Sequence, residues 1–420
     1  MSENQPSIEQ LFRRKYGEVL AALLGRFGHQ QFELVEEAVQ TAFQKALEKW
    51  TADNLPDNPG GWLYRVAGND ILEALRRAQT EEIKLERMQG EQAVVGKEPD
   101  ALSEFSAAAV SDDLAAMILL CCNPRLTPKA QVCLTLKSAC GFSVPQIARA
   151  MGMQDEATKK TITRAKKSFA AQRETLSALD PERIAARFVL VEETIYAMFT
   201  EGYAASSGES QLRRDIAEEA IRLTDIFLQS SVTPPAQQGE LQALMALMLF
   251  QFSRFAARVT PAGLPVRLQE QDRSLWNQEM IAAGLAALAA SQEAPNVSAL
   301  HLEARIAAEH ATSRSFATTR WDKILALYDQ LQTVKDTPEV RLSRTVAVHY
   351  TMGWEAALAE LDGMAVATVA QSFLQHAIRA DLLEAAGRPA QAKEAWREAR
   401  SEAPTAADRA FVEQKINELS

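Results

Sequence analysis

Little in this chain suits metal or redox chemistry. Four cysteines are spread over 420 residues. Cys121 and Cys122 are adjacent, Cys133 and Cys140 lie on one helical stretch, and no C-x-x-C pair or ligand-spaced histidine accompanies them. That pattern argues against a zinc site and for buried, reduced thiols. The five histidines (His29, His301, His310, His349, His376) are scattered and fit structural places. No P-loop, GxGxxG, GxSxG or HExxH is present. The expectation is therefore no enzyme, no metal and no cofactor. No apolar run reaches the length of a bilayer, and the polar start MSENQPSIEQ lacks the apolar core of a signal peptide. A cytoplasmic protein with no membrane partner is expected. Strand-like alternation is also missing. The best exception is GLPVRLQ at 263–269, which reads as one short hairpin arm.

What is present is helix. Hydrophobic residues make up 47% and charged residues 24% of the chain, as in ordinary globular proteins, and the length suits two or three domains. Apolar spacing predicts a first helical unit over 7–78. One helix carries Leu11, Phe12, Val19, Leu20 and Leu23, with a break at Gly25 and Gly28. A second runs over 32–50 with Val35, Val39, Phe43 and Leu47 on one face. A Pro/Gly/Asn loop, DNLPDNPGG, precedes a third helix that ends in Arg76 and Arg77. Residues 79–112 are rich in Glu, Gln, Lys and Ser and read as a flexible linker. A second unit follows over 113–179. Residues 180–420 form an Ala- and Leu-rich helical extension. From about 319 it shows helix pairs of tetratricopeptide type, clearest in LLEAAGRPAQAKEAWREARSEAP.

The second unit carries the strongest signal. An apolar helix from Thr127, a turn at Gly141, a short helix with Ile147, Ala148 and Met151, a break at Gly152 and a basic helix from Asp155 make a helix-turn-helix. Net charge is −10, so this basic helix is not a by-product of composition. The acidic balance opposes broad coating of nucleic acid but permits a reader whose positive charge is local. Lys159, Lys160, Arg164, Lys166 and Lys167 suit phosphates, and Thr158, Lys159, Thr161 and Thr163 suit base edges; a solvated charged face is the plainer reading of such a run. Trp62, Tyr64, Arg65, Asn69, Arg76 and Arg77 combine aromatic and basic groups in a way that suits unstacked single-stranded bases. On spacing alone, a core-filling Trp with arginines near a helix C-terminus serves equally well. Glu36, Glu37, Gln40 and Phe43 mark an acidic amphipathic helix that suits a basic partner surface, or merely a solvated face.

In this order the units resemble an RNA polymerase sigma factor of the extracytoplasmic-function type. EEAVQTAFQKAL (36–47) is similar to the region 2 segment that docks on the polymerase clamp, which implies that Glu36, Glu37, Gln40 and Phe43 face the core enzyme. NPGGWLYRVAGNDILEALRR (58–77) resembles the part that melts and reads the minus-ten element, which implies that role for Trp62, Arg65, Asn69, Arg76 and Arg77. SVPQIARAMGMQDEATKKTITRAKKSF resembles region 4, the reader of the minus-thirty-five element. The remainder resembles the subgroup with a tetratricopeptide-like extension, which implies control of sigma activity by the extension and a protein partner for it. The implied fold is all-α: two small helical domains, the second a helix-turn-helix, then the helical extension. The implied partners are polymerase core and promoter DNA. The competing readings are a stand-alone helix-turn-helix regulator with a sensing extension and a helical adaptor that no longer works on DNA.

Overall fold

Eighteen α-helices and no strand make up the described part of the computed structural model. It comprises residues 8–50, 55–89, 105, 107–172, 180–203, 214–260, 264–292, 297–365 and 368–419. The all-α reading holds. The expected hairpin arm reduces to one isolated antiparallel bridge between Val259 and Pro265, followed by a single 3-10 turn, Leu268–Glu270. The chain divides into two compact units. The first comes mainly from residues up to Thr194, together with Gln229–Val232. The second comes from Ile195 onward, together with Arg149–Gly152.

In the first unit α1 (Ile8–Phe27), α2 (Phe32–Lys49) and α3 (Pro59–Gln89) pack on one another. Val19, Leu20 and Leu23 of α1 are fully buried, as are Val35 and Val39 of α2. The α2 stripe stops short of Leu47, which is 69% exposed. Gly25 lies inside α1, and the break falls at Gly28 alone, whose φ of 87° favours glycine. α3 continues into the expected linker as far as Gln89, because QTEEIKLER is made largely of strong helix formers. α4 (Ala107–Cys121) reclaims the other end of that segment.

The helix-turn-helix is α5 (Pro128–Ser138), α6 (Val144–Ala150) and α7 (Asp155–Ala170). Thr127 caps α5 by accepting from the Ala130 amide, and Pro128 takes the first helical position, where no amide is needed. Gly141 turns the chain with φ 67°, and a Cβ there would lie 2.8 Å from the Arg13 carbonyl oxygen. At Gly17 a Cβ would lie 2.0 Å from the Ala139 oxygen. Both glycines let α1 press directly on the end of α5. The two expected small domains therefore pack as one unit. That unit also takes in α8 (Pro181–Tyr203) as far as Thr194, beyond the expected boundary at 179. Arg187, Phe188 and Val191 are buried there, and Arg187 donates to the Leu119 carbonyl at 2.9 Å. All four cysteines are free and buried; burial pushes the Cys122 thiol up to about 12.

The second unit holds α9 (Arg214–Gln229), apart from its last residue, and is built around α10 (Pro235–Ser253). From Ala243 to Phe250 α10 is apolar all round, as a helix surrounded by others must be. α11 (Gln278–Ser291) and α12 (Ala299–Thr312) pack on it. From there α13 (Trp321–Val334), α14 (Pro338–Met352), α15 (Trp354–Asp362), α16 (Val369–Ala385), α17 (Pro389–Glu402) and α18 (Ala406–Glu418) follow, each packed on its predecessor. Trp396 of α17 is 1% exposed among Ala380, Leu383, Ala392 and Val412, and its indole N–H donates to Glu384 at 2.6 Å. The pair clearest in the sequence, α16 and α17, is covered by a further helix, α18.

Candidate functional site

The outer face of α7 is cationic and its inner face is apolar. Ile162, Ala165 and Phe169 are buried. Lys159, Lys160, Thr163, Arg164 and Lys167 are exposed, and the four cations among them have no ion pair among the described residues. Asp155 and Glu156 occupy the first turn, where they complement the helix dipole. The three threonines hold the backbone: Thr158 donates to the Gln154 carbonyl at 3.1 Å, Thr161 to Ala157 at 2.8 Å and Thr163 to Lys159 at 2.9 Å. Thr158 is fully buried and presents nothing outward in this arrangement.

Lys166 differs from its neighbours. Its ammonium donates to both carboxylate oxygens of Glu36 on α2, each at 2.6 Å. Their side chains are only 18% and 11% exposed. The Tyr16 hydroxyl also donates to Glu36, at 3.1 Å, and the Lys166 ammonium lies 5.6 Å from the Phe32 ring centroid. Burial, then the Glu36 charge, raises the Tyr16 hydroxyl well above its ordinary range. Burial lowers the Lys137 ammonium, Glu36 opposes that shift, and Lys166 adds to it. Nearby, Phe169 meets Phe32 edge-on at 5.2 Å, and His29 contacts the Gln172 carbonyl. Residues expected to face polymerase and residues expected to face DNA are therefore joined here. The rest of the α2 set behaves otherwise. Glu37 and Gln40 are exposed, while Phe43 is half-buried between Phe12 and Tyr16, at 5.6 and 5.8 Å.

On α3, the Asn58 side chain accepts from the Gly61 amide at 2.9 Å and starts the helix with Pro59. Leu63, Tyr64, Ala67 and Ile71 face inward. Trp62, Arg65, Asn69 and Arg76 fall within about 60° of arc at the helical repeat. Arg65, Asn69 and Arg76 are exposed, and Trp62 is half-buried. Trp62 is held edge-on by Trp50 at 5.1 Å. Asp70, beside this stripe, is neutralised by Lys45 at 2.8 Å. Arg77 stands off the stripe and pairs with Glu73.

Sigma-70 region 2 matches residues 11–81 and sigma-70 region 4 matches residues 116–169. The first span holds the whole α2 and α3 residue set, and the second ends on Phe169 of α7. The chain belongs to the sigma-70 family. As a sigma factor it binds RNA polymerase core and promoter DNA and directs promoter-specific initiation of transcription. A family of unknown function (DUF6596) matches residues 187–292. An uncharacterized protein of Rhizobium meliloti (strain 1021) is 33% identical over 403 residues, 96% of this chain and 93% of its own length. No solved structure matches. No helix of the described residues is long and apolar enough to cross a membrane.

Two features of the sigma factor's site escape sequence reasoning. Tyr16 and Lys137, which complete the surroundings of Glu36, belong to α1 and α5, and no local pattern links them to α2. The Glu36–Lys166 pair spans 130 residues and follows no periodicity.

Proposed function

We propose that this sigma factor is of the extracytoplasmic-function type with a tetratricopeptide-like extension that modulates its activity. In this reading Glu37, Gln40 and Phe43, with Glu36, dock on the core enzyme. Trp62, Arg65, Asn69, Arg76 and Arg77 capture unpaired bases at the minus-ten element. Lys159, Lys160, Thr161, Arg164 and Lys167 grip the upstream element in the major groove, with Thr158 holding the start of the helix from inside. The protein works in the cytoplasm, has no catalytic step of its own, and its extension offers a surface to a protein partner. The observation that carries the reading is the row of exposed cations on α7 in a protein of net charge −10. Only about 34 residues separate the two matched sigma regions, which supports the two-region type. Lys166 joins the DNA-facing set only after leaving Glu36, so docking on core and release of Lys166 for phosphate are one event.

Run-off transcription with core enzyme on a promoter library tests this. The wild type is expected to give discrete starts. Charge reversal at Lys159, Lys160 and Arg164 together is expected to abolish them while leaving core binding intact. If the triple variant initiates as well as the wild type, α7 does not read the promoter.

A further inference from the structure

The second unit contains an open cavity of about 530 Å³ lined by α8, α10, α12, α13 and α14 and the segment after α10. That size suits a small organic ligand. Much of its wall is apolar, with Leu247, Phe250, Leu268, Ile306, Leu331 and Val340. Glu339 also lines it and accepts from the Gln371 side-chain amide; the other charged groups and their partners fall into two sets of opposite character.

One set is self-satisfied. Glu303 accepts from the Tyr196 hydroxyl at 3.2 Å and pairs with Lys335 at 2.8 Å. The other set is an excess of donors. Arg254, Trp276 and His310 line the cavity, and Arg273 stacks on the Trp276 ring with its guanidinium carbon 4.4 Å from the centroid. Arg273 spends one nitrogen on the carbonyls of His310 and Ser313, at 2.8 and 2.6 Å. Its other terminal nitrogen is buried without a partner, and so are the Trp276 indole N–H, one Arg258 nitrogen and Nδ1 of His310. Trp276 is 4% exposed. Among the described residues no carboxylate pairs with Arg254, Arg258 or Arg273. Arg254 and Arg258 share only the face of Tyr203, at 5.9 and 3.6 Å, and Asp408 acts on Arg258 as a minor, distant charge. Burial, then Arg254 and Arg273, bring His310 down to about 4, so it is neutral at physiological pH.

Buried donors are normally satisfied, and each one left open costs free energy. Two such open groups, the Trp276 indole N–H and Nδ1 of His310, line the cavity beside Arg254, which no carboxylate among the described residues pairs, and Arg273 and Arg258 add positive charge behind them; together they define a place for an anion. We propose that this cavity binds a small amphipathic organic carboxylate, its anionic head against Arg254 and the Trp276 indole N–H and its apolar body along Leu247, Phe250 and Ile306. The neutral imidazole of His310 adds a site for a hydroxyl or amide of the same ligand. Most of these donors lie in the span 187–292 that matches the family of unknown function. Ligand binding here would give the extension an input; this deepens the modulatory role proposed above, but the binding itself does not depend on it.

The test is titration calorimetry on the purified full-length chain without polymerase. The probes are octanoate and indole-3-acetate against their neutral counterparts, octanol and indole-3-acetamide. At least one acid is expected to bind saturably and tenfold or more tighter than its neutral partner, and Arg254→Gln is expected to erase that preference. The melting temperature of the ligand-free variant is expected to hold or rise, because a repulsive charge has been removed. Failure of both acids to bind at millimolar concentration would overturn the proposal, and so would equal binding of acid and neutral probe or an unchanged preference in Arg254→Gln. Should that variant not fold, the wild-type contrast between acid and neutral probe still decides. Transcription is not read in this assay, so a failure of the sigma reading would show elsewhere.

Discussion

At the scale of single residues, the Glu36–Lys166 pair is the most consequential contact in the first unit. Both groups are largely removed from water, and breaking such a pair from one side leaves a charge uncompensated. Lys166→Met is expected to destabilise the protein by about 3 kcal/mol or somewhat less, since such losses run to ~3–5 kcal/mol and Lys137 remains close enough to soften the effect. The charge-swapped double variant Glu36→Lys with Lys166→Glu should recover much of that stability but not core binding. Urea melts and core pull-down on the four corners of the cycle separate the two. Asp113 offers a pH test. Burial, then the Asp112 charge, raises its carboxyl to about 6. A carboxyl raised on folding adds stability that is complete below its unfolded value near 3.8 and is lost as pH rises through 6. Asp113→Asn should therefore raise the melting temperature at pH 7.5 and change it little at pH 4. An equal shift at both would show that ionisation of Asp113 is not the cause. None of this was legible in the sequence, because the ion pair joins residues 130 apart and the Asp113 shift comes first from burial.

At the scale of elements, α7 was readable almost to its ends. Gly152 and the cluster of cations bounded it, and its apolar residues recur at helical spacing. The structure adds which face is which: Ile162, Ala165 and Phe169 turn inward, and Thr158, expected near the bases, turns with them. Phe169 is fully buried against Phe32, so Phe169→Ala should cost about 3–5 kcal/mol, measurable as a shift in the urea midpoint. The outer cations should behave oppositely. Neutralising Lys159 and Lys160 is expected to leave the melt unchanged while flattening the salt dependence of promoter binding by roughly 0.9 per lost phosphate contact. The limits of α3 were less legible, because helix-forming residues continue past 78 with no glycine or proline to stop them. Gly25, expected as a break, lies inside α1 against Asp113. A Cβ there would lie 2.7 Å from an Asp113 carboxylate oxygen, so that side chain would have to shift. A glycine chosen for close packing cannot be told from a helix breaker in one sequence.

At the scale of the whole molecule, the order of units was legible because each carries its own local pattern, but the boundary between them was not. The first unit needs α8 to Thr194. Its buried Arg187 holds the Leu119 carbonyl and reaches the Gln172 side chain at 3.3 Å. A chain ending at 179 should therefore melt well below one ending at 203, a comparison that circular dichroism settles. If the two melt together, α8 is dispensable to the first unit. The acidic total charge has a consequence at this scale as well. Without polymerase, the free protein should bind DNA only weakly at physiological salt. The most direct test of the whole account combines the purified chain, core polymerase and a randomised promoter library in one transcription reaction. The chain is expected to copurify with core, and transcripts to start at discrete positions downstream of a shared pair of sequence elements. A chain that neither associates with core nor directs initiation on any template would contradict it.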